Sequence, residues 1–367
     1  MRRTGSCTLC KSLRAFTIVE LLIVVAIIAL LIGMLLPAIG KARDSAMVTN
    51  SLTNLRNLAS ANASYEVDWD GRQFTSSPDD FGFWGDCGSY INANACLPPL
   101  MVGWDGNFYW NIWIGNASDC PLVTTTCENW YVLEPNAWDL PTHSGFGLWR
   151  GPSVQAFNNY VGGRYYDRIF WAPKDRIGLE ECEAYFQSPN EFTYNAEFGL
   201  HFPTYCWSPA AMWATDVLSG RYGFQSPQTL PGAWRSPSSS MSLFPELKTR
   251  MTEHWWLQNQ DGGPLNVNFT GGGSQWTFNQ GMNSTPATLY FDGHVSLLPM
   301  ASCMAADAQV TNQQASTNLA EKGLWMRGTP FGTAGYFGDQ AYDAEVNTSA
   351  HVLTTDGIRG RDTLRAR

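Results

Sequence analysis

The sequence is poor in charged residues and has no surplus of basic ones. Asp, Glu, Lys and Arg make up 15% of the 367 residues, against roughly a quarter in ordinary globular domains. Hydrophobic residues account for 44%, so the chain can bury a core, and neither disorder nor a long coiled coil is expected. The formal net charge of −9 argues against the clustered Lys and Arg that phosphate backbones require. We therefore expect no nucleic-acid partner.

Motifs of the common enzyme and metal-binding classes are also missing. The five histidines are scattered without an H-E-x-x-H pattern, and the chain has neither a G-x-S-x-G elbow nor a Gly-rich phosphate loop. Asp68, Asp70 and Asp261 could join a calcium site, but the D-x-[DN]-x-[DN]-G loop is absent. We expect no catalytic residue, no cofactor and no metal-ligand set, although the sequence alone leaves calcium binding open.

Acidic residues are absent from the first 15 positions, which hold Arg2, Arg3, Lys11 and Arg14, whereas the rest has 19 basic and 32 acidic residues. The next 24 residues, 16–39, contain a single ionisable side chain. As a helix they would span roughly 36 Å, enough to cross a hydrocarbon layer of about 30 Å. The sequence predicts a single membrane-spanning helix, and the basic flank places its N-terminus in the cytoplasm.

Residues 16–39 have two simple interpretations, a secretory signal and an uncleaved membrane anchor, and a more specific one that involves Glu20. A secretory signal would end at a small-residue A-x-A site, but no good one follows Leu36; an uncleaved anchor is the stronger alternative. The specific interpretation starts from Glu20, because placing an ionisable group inside a membrane-spanning helix costs about 2.5 to 3.5 kcal/mol of insertion free energy. If the leader were removed between Ala15 and Phe16, the new amine of a neighbouring subunit could pair with Glu20, and the helices would pack side by side.

The string from Arg14 to Ile23, RAFTIVELLI, resembles the N-terminal signal of type IV pilins and type II secretion pseudopilins. The resemblance implies cleavage by a prepilin peptidase before Phe16, methylation of the Phe16 amine and Glu20 as the assembly carboxylate. Pro37 matches a proline that often kinks this helix, since proline has no amide hydrogen to donate. Ala15 departs from the glycine usual in the family, although it keeps the small size.

Beyond Pro37 a helical pattern persists and then gives way to short β-like runs. Mostly apolar residues recur every three or four positions in a stripe that should pack on a sheet, and the helix should end near residues 68–71. We expect strands within residues 107–114, 130–133, 168–171 and 240–244, and a hairpin of 288–291 with 294–298 around the tight turn Asp292-Gly293. The stripe consists of Leu52, Leu55, Leu58, Ala59, Asn62 and Tyr65.

These patterns predict an α+β fold, with a long pilin-like N-terminal helix packed on an antiparallel sheet in a large, loop-rich head. The expected parts are a cytoplasmic leader (1–15), a transmembrane helix (16–39), its exported continuation (40–70), a β-rich head (71–358) and a basic tail (359–367). We expect the tail to be frayed and solvated.

The hairpin adds a second resemblance. Its sequence, TLYFDGHVSLLP, looks like the closing segment of a large pseudopilin-like family that pairs the methylation signal with a C-terminal Phe-x-Asp-Gly-His-Val stretch. Residues 172–175 are similar to a Cys-Pro-x-Asp motif of that family, with Ala172 in place of the cysteine. Met282 stands where the family usually has a histidine.

Seven cysteines follow the apolar segment, and export to an oxidising compartment would permit disulfides. Cys87 with Cys96 and Cys120 with Cys127 are near enough in sequence to close small loops, while buried reduced thiols remain the alternative. The odd count leaves at least one cysteine without an intramolecular partner. The 16 tryptophans are expected mainly in the core, although Trp104, Trp110, Trp113, Trp255 and Trp256 are dense enough to suggest a glycan surface.

Together these patterns suggest a non-catalytic structural subunit of a type IV pilus or a type II secretion-like filament. Its partners would be the prepilin peptidase and methylase, other pilin-like subunits and the inner membrane, with the head in the periplasm or on the cell surface. The alternative is a membrane-anchored binding module, such as a glycan adhesin. An anchored hydrolase is a third interpretation, for which the sequence nominates no residues.

Overall fold

The computed structural model describes two units, Met1–Ala46 and Met47–Arg367. Its described residues are 17–74, the backbone of the strands between 100 and 145, short pieces between 157 and 186, and most of 203–253, 285–328 and 350–365. Helix α1, Ile18–Asp68, is 51 residues long and carries Pro37 in its interior. Its end at Asp68 confirms the expected boundary.

The strands are short and antiparallel. Two hairpins pair β1 with β2 and β3 with β4, and a third pairs β6 with β7. The central sheet has the order β10-β9-β8-β5. A second helix, α2, spans Met300–Gln313. The strands are β1 Leu100–Trp104, β2 Tyr109–Ile112, β3 Trp138–Leu140, β4 His143–Gly145, β5 Tyr205–Trp207, β6 Leu218–Ser219, β7 Gly223–Phe224, β8 Thr249–Glu253, β9 Ala287–Tyr290 and β10 Val295–Leu297.

The second half of α1 packs on the central sheet, as its apolar stripe predicts. Leu55 and Leu58 are fully buried, and Tyr65 is nearly so. Asn62 accepts a hydrogen bond from Trp207 Nε1 in β5 at 3.1 Å, and its own amide donates to the Met251 sulfur in β8 at 3.5 Å. The predicted α+β fold is therefore confirmed, with a long N-terminal helix and an antiparallel sheet in the head.

Aromatic rings fill the space at the end of α1. The Trp207 ring lies 4.8 Å from Phe74 and 4.7 Å from Phe157, and Tyr65 meets Phe74 edge-on at 5.3 Å. Each such ring buries a large apolar area. Trp171, Trp207, Trp213 and Trp325 are all buried, so the core role expected for tryptophan is confirmed for these four.

Two of the expected strands are wrong. Residues Arg168–Phe170 and Ser239–Met241 form 3-10 turns instead. In the first, Asp167 accepts a hydrogen bond from the Ile169 amide; in the second, Ser238 accepts one from the Ser240 amide. Such local side-chain bonds compete with a ladder and bend the backbone. Strand β2 confirms the run at 107–114, and residues 130–133 lie outside the described part.

The hairpin of β9 and β10 is confirmed, but its turn differs from the expected one. Tyr290 N donates to His294 O at 3.0 Å, which leaves Phe291, Asp292 and Gly293 as a three-residue loop. Of the three, only Gly293 has a positive φ, +85°, which suits the glycine of a bulged turn. Asp292 Oδ1 instead accepts the His294 amide at 3.0 Å, so this aspartate stabilises the turn through its side chain.

The expectation of a solvated C-terminal tail is wrong at Asp362, whereas Arg359 and Arg365 are exposed as expected. Asp362 is 1% exposed, and its amide donates to Leu247 O at 2.9 Å. Ile358, just before the expected tail, is fully buried. Arg361 lies over the Phe244 ring, 4.6 Å from its centroid. The segment 350–365 is thus part of the head, because its basic residues alternate with groups that the core can accept.

We expect Asn62→Ala to destabilise the head by about 1 to 3 kcal/mol, because the buried Trp207 indole would lose its acceptor. Chemical unfolding of the detergent-solubilised protein, followed by tryptophan fluorescence, measures the change. Asn57→Ala, at an exposed position of the same helix, is the matched control and should stay within about 0.5 kcal/mol of the parent. Equal effects of the two variants would contradict the role given to the Asn62 amide.

Glu253 makes the stability of the head depend on pH. Its carboxylate accepts hydrogen bonds from Ser51 of α1 and from the Ala287 amide, 2.8 Å away, yet burial raises its pKa from 4.5 to about 7. The folded state therefore favours the protonated form, and the stability from this group is present below pH 4.5 and lost as pH rises through 7. Glu253→Gln should gain stability relative to the parent between pH 5 and 8.

Thermal unfolding of both proteins across this range measures the difference. Taking the difference removes the contributions of other titrating groups, which the two proteins share. Glu180→Gln, at an exposed position, is the control and should give a flat difference. A flat difference for Glu253→Gln as well would show that the Glu253 carboxyl titrates normally in the folded protein.

Candidate functional site in the N-terminal helix

Among the described residues, the first unit has an exposed apolar surface. Helix α1 is long and apolar enough to cross a membrane, and in its most apolar stretch no side chain is buried. An uncovered surface of this kind marks a membrane or protein contact. The exposed large side chains are Ile18, Val19, Leu21, Leu22, Ile23, Val24, Val25, Ile27, Ile28, Leu30, Leu31, Ile32, Met34, Leu35, Leu36 and Ile39.

Thr17 and Glu20 cap the N-terminus of helix α1. The amide and the hydroxyl of Thr17 donate to Glu20 Oε2 at 2.9 and 2.8 Å. In return, the Glu20 amide donates to Thr17 Oγ1 at 3.2 Å. This reciprocal arrangement is a capping box, which satisfies amide groups that have no partner within the helix. The carboxylate also lies at the positive end of the helix dipole.

The signal for this capping box in the sequence is Thr-x-x-Glu before an apolar run, and the interpretation of Glu20 as a membrane charge does not include it. Both bonds from Thr17 end on Oε2, and within the described residues Oε1 accepts no hydrogen bond. Thr17 supplies neutral donors only, so the capping box satisfies hydrogen bonds without neutralising the negative charge of Glu20.

The other predicted residues of this site fall in different places. Ala15 and Phe16 lie outside the described residues, so cleavage and methylation there stay predictions. The helix continues through Pro37, whose missing amide hydrogen leaves the Gly33 carbonyl without its helical partner. A side chain added at Gly33 or Gly40 would meet nothing within 4 Å. The kink at Pro37 stays a prediction.

The structure does not describe the cysteines of the predicted disulfides. Cys87, Cys96, Cys120 and Cys127 lie outside the described residues. Cys182, Cys206 and Cys303 are buried, and burial raises the pKa of the Cys303 thiol, which makes it a poor nucleophile. These three thiols behave as core residues.

A second polar centre, which sequence reasoning missed, lies inside the head. The Lys248 ammonium is 2.8 Å from Asp362 Oδ2, and the two side chains are 0% and 1% exposed. Lys248 Nζ also donates to Ser208 Oγ at 2.9 Å and to Thr354 Oγ1 at 2.7 Å. The two residues are 114 positions apart, and no local spacing rule joins groups at such a distance.

Asp362 receives a full set of donors in this cluster. Its Oδ2 accepts the Thr249 amide at 2.9 Å and the Thr249 hydroxyl at 2.6 Å. Its Oδ1 accepts the Thr354 hydroxyl and the His351 amide, the latter at 3.1 Å. Burial alone would raise the pKa of Asp362, but Lys248, His351 and the Thr249 hydrogen bonds lower it to about 2.

His351 borders the same cluster as a neutral ring. Its Nδ1 lies 2.8 Å from Thr249 Oγ1 and its Nε2 lies 3.2 Å from Cys206 O. Burial lowers the pKa of His351 to about 3, and the adjacent Lys248 charge acts in the same direction. Within the described residues no group of three or more His, Cys, Asp or Glu side chains is placed to hold a metal ion.

Comparison with known proteins bears on the N-terminal site alone. Residues 10–36 match a family model described as the prokaryotic N-terminal methylation motif. No curated protein and no solved structure matches the chain. The match covers the junction of Ala15 and Phe16, the capping box and most of the apolar helix surface. The chain therefore carries the prepilin-type N-terminal methylation motif of type IV pilin-like proteins.

Proposed function

We propose that the protein is a non-catalytic structural subunit of a type IV pilus or a type II secretion-like filament. The observation that carries the proposal is the methylation motif at residues 10–36, which coincides with an apolar helix surface left uncovered by the protein's own fold. In the membrane, lipid would cover that surface; in a filament, the same helices of other subunits would do so. One surface therefore serves both states.

In this proposal, a prepilin peptidase cleaves between Ala15 and Phe16, and the new Phe16 amine is methylated. The protein is inserted in the inner membrane with its N-terminus in the cytoplasm and its head in the periplasm or at the cell surface. The basic leader supports this orientation through the positive-inside rule.

Glu20 would direct assembly through its charge. The capping box supplies donors to Oε2, but a carboxylate in an apolar layer still needs a cation. The Phe16 amine of a neighbouring subunit is of the right sign, and the processed chain begins four residues before Glu20. Pairing between subunits would set the axial shift of one helix against the next.

We expect the mature protein to begin with N-methylated Phe16. Mass spectrometry of the N-terminal peptide from membrane-extracted protein tests this directly. Ala15→Gly should be processed as the parent is, whereas Ala15→Leu should retain the leader because a bulky side chain replaces the small residue at the cleavage site. A parent protein that still begins at Met1 would favour the plain anchor.

Three variants separate the charge of Glu20 from its capping role. Glu20→Gln keeps an acceptor for Thr17 but removes the charge, and Glu20→Ala removes both. Both should be cleaved normally and should assemble at least roughly tenfold less than the parent, since an uncompensated charge in a spanning helix is worth about 2.5 to 3.5 kcal/mol. Thr17→Ala keeps the charge, weakens the cap by about 0.5 to 2 kcal/mol and should still assemble.

Sheared filaments collected by ultracentrifugation, compared with the detergent-soluble fraction, give the assembled share of each variant. Normal assembly of Glu20→Gln would rule out the intersubunit ion pair. Loss of assembly in Thr17→Ala alone would make the cap, rather than the charge, the assembly determinant.

A further inference from the structure

The buried cluster around Lys248 contains hydroxyl groups that an ion pair of Lys248 and Asp362 alone would not need. Lys248 is the fully buried lysine of the described residues, and its partner Asp362 is equally enclosed. Taking both charges out of water is costly, and the attraction between them often fails to compensate. A neutral product of the two groups would not carry that cost.

We propose that Lys248 and Asp362 react to form an intramolecular isopeptide bond. The amide would join the start of strand β8 to the C-terminal segment 350–365. This modification is independent of how the N-terminal helix assembles.

The backbone holds the two reacting groups together. The Asp362 amide donates to the carbonyl of Leu247, the residue just before Lys248, at 2.9 Å. The Thr249 amide and hydroxyl on the other side hold Asp362 Oδ2. These hydrogen bonds hold the Asp362 carboxylate beside the Lys248 amine. The two groups are therefore already positioned to react, and no bimolecular encounter is needed.

Each carboxylate oxygen accepts a backbone amide and a threonine hydroxyl. Their roles are assigned by Thr354, since this hydroxyl donates to Oδ1 and also contacts Lys248 Nζ. Thr249 N and Oγ1 both point donors at Oδ2, so Oδ2 can carry the negative charge of a tetrahedral intermediate. It then becomes the carbonyl oxygen of the amide. Oδ1 accepts the Thr354 hydroxyl and is the oxygen that leaves.

Thr354 connects the amine to the leaving oxygen. Its Oγ1 accepts a hydrogen bond from Lys248 Nζ at 2.7 Å and donates its own proton to Asp362 Oδ1. The hydroxyl can therefore take a proton from nitrogen while passing its own to oxygen, as a general acid–base relay. Burial lowers the pKa of Lys248, which eases the loss of the first proton.

The reaction balances without any further reactant. One proton moves from the Lys248 ammonium through Thr354 to Oδ1, and the neutral amine attacks Asp362 Cγ to form the N–C bond. A second proton follows the same route, the Cγ–Oδ1 bond breaks, and Oδ1 leaves as water. The third proton stays on the amide nitrogen, whose N–H can donate a hydrogen bond to Ser208 Oγ, 2.9 Å from Nζ. One positive and one negative charge disappear together.

The test is peptide mapping of the full-length protein, extracted in detergent and denatured before digestion with trypsin. We expect residues 236–250 to be recovered joined to residues 362–365, at a mass one water below the sum of the two peptides. Trypsin should not cut after Lys248, since its amine is acylated. Cleavage after Lys248 together with a free 362–365 peptide would overturn the proposal, and this result needs no variant.

Variants then test the chemistry. Lys248→Arg should give no linked peptide, whereas Lys322→Arg, at a lysine outside the cluster, should be linked in full. Thr354→Val removes the relay hydroxyl and should slow linkage by about a hundredfold or more in a pulse-labelled time course. Thr363→Val is its matched control in the same segment and should react at the parental rate. Parental kinetics in Thr354→Val would overturn the role of Thr354.

Discussion

In the head, the amide of Asn62 lies between helix α1 and the central sheet, where Trp207 donates to it and it contacts Met251. The rest of the packing follows from this contact, since it fixes the rotation of the helix about its axis. With Asn62 facing the sheet, Leu58 and Leu55 are buried one and two turns earlier and Tyr65 reaches the aromatic rings. A slight rotation would expose these side chains and leave the indole without an acceptor, which is expensive inside a core.

Whereas the second half of helix α1 packs on the central sheet, its first half is exposed. Its polar groups are few, and its apolar side chains are exposed all round, so no face of the helix is preferred by the protein itself. The capping box of Thr17 and Glu20 is the local device at its start. It fixes the beginning of the helix, while within the described residues the negative charge of Glu20 receives only the neutral donors of Thr17.

Periodicity and composition predicted the parts of the fold that depend on neighbours in sequence. The stripe from Leu52 to Tyr65 and the hairpin around Asp292 and Gly293 were both anticipated, as was the helix end at Asp68. The strands expected at 168–171 and 240–244 failed because Asp167 and Ser238 bond to nearby amides, a competition that β-propensity does not register.

The residues of the two polar centres also differ in how well the sequence predicted them. Glu20 stood out as the single ionisable residue in an apolar run, and the prepilin motif followed from contiguous residues. The cluster of Lys248, Asp362 and Thr354 left no such trace, since its members are ordinary polar residues until the fold brings them together. The solvated tail was predicted from four arginines, but Asp362 and Ile358 decide the position of that segment.

The position of Asp362 also sets the order in which the head can be completed. Lys248, its partner, immediately precedes strand β8, and the two residues are 114 positions apart. During synthesis, β8 therefore emerges long before the segment that covers its buried ammonium. Until that segment arrives, Lys248 has no counter-charge and the core around β8 cannot close. A head that is translocated in sequence order would therefore stay open until residues 350–365 arrive.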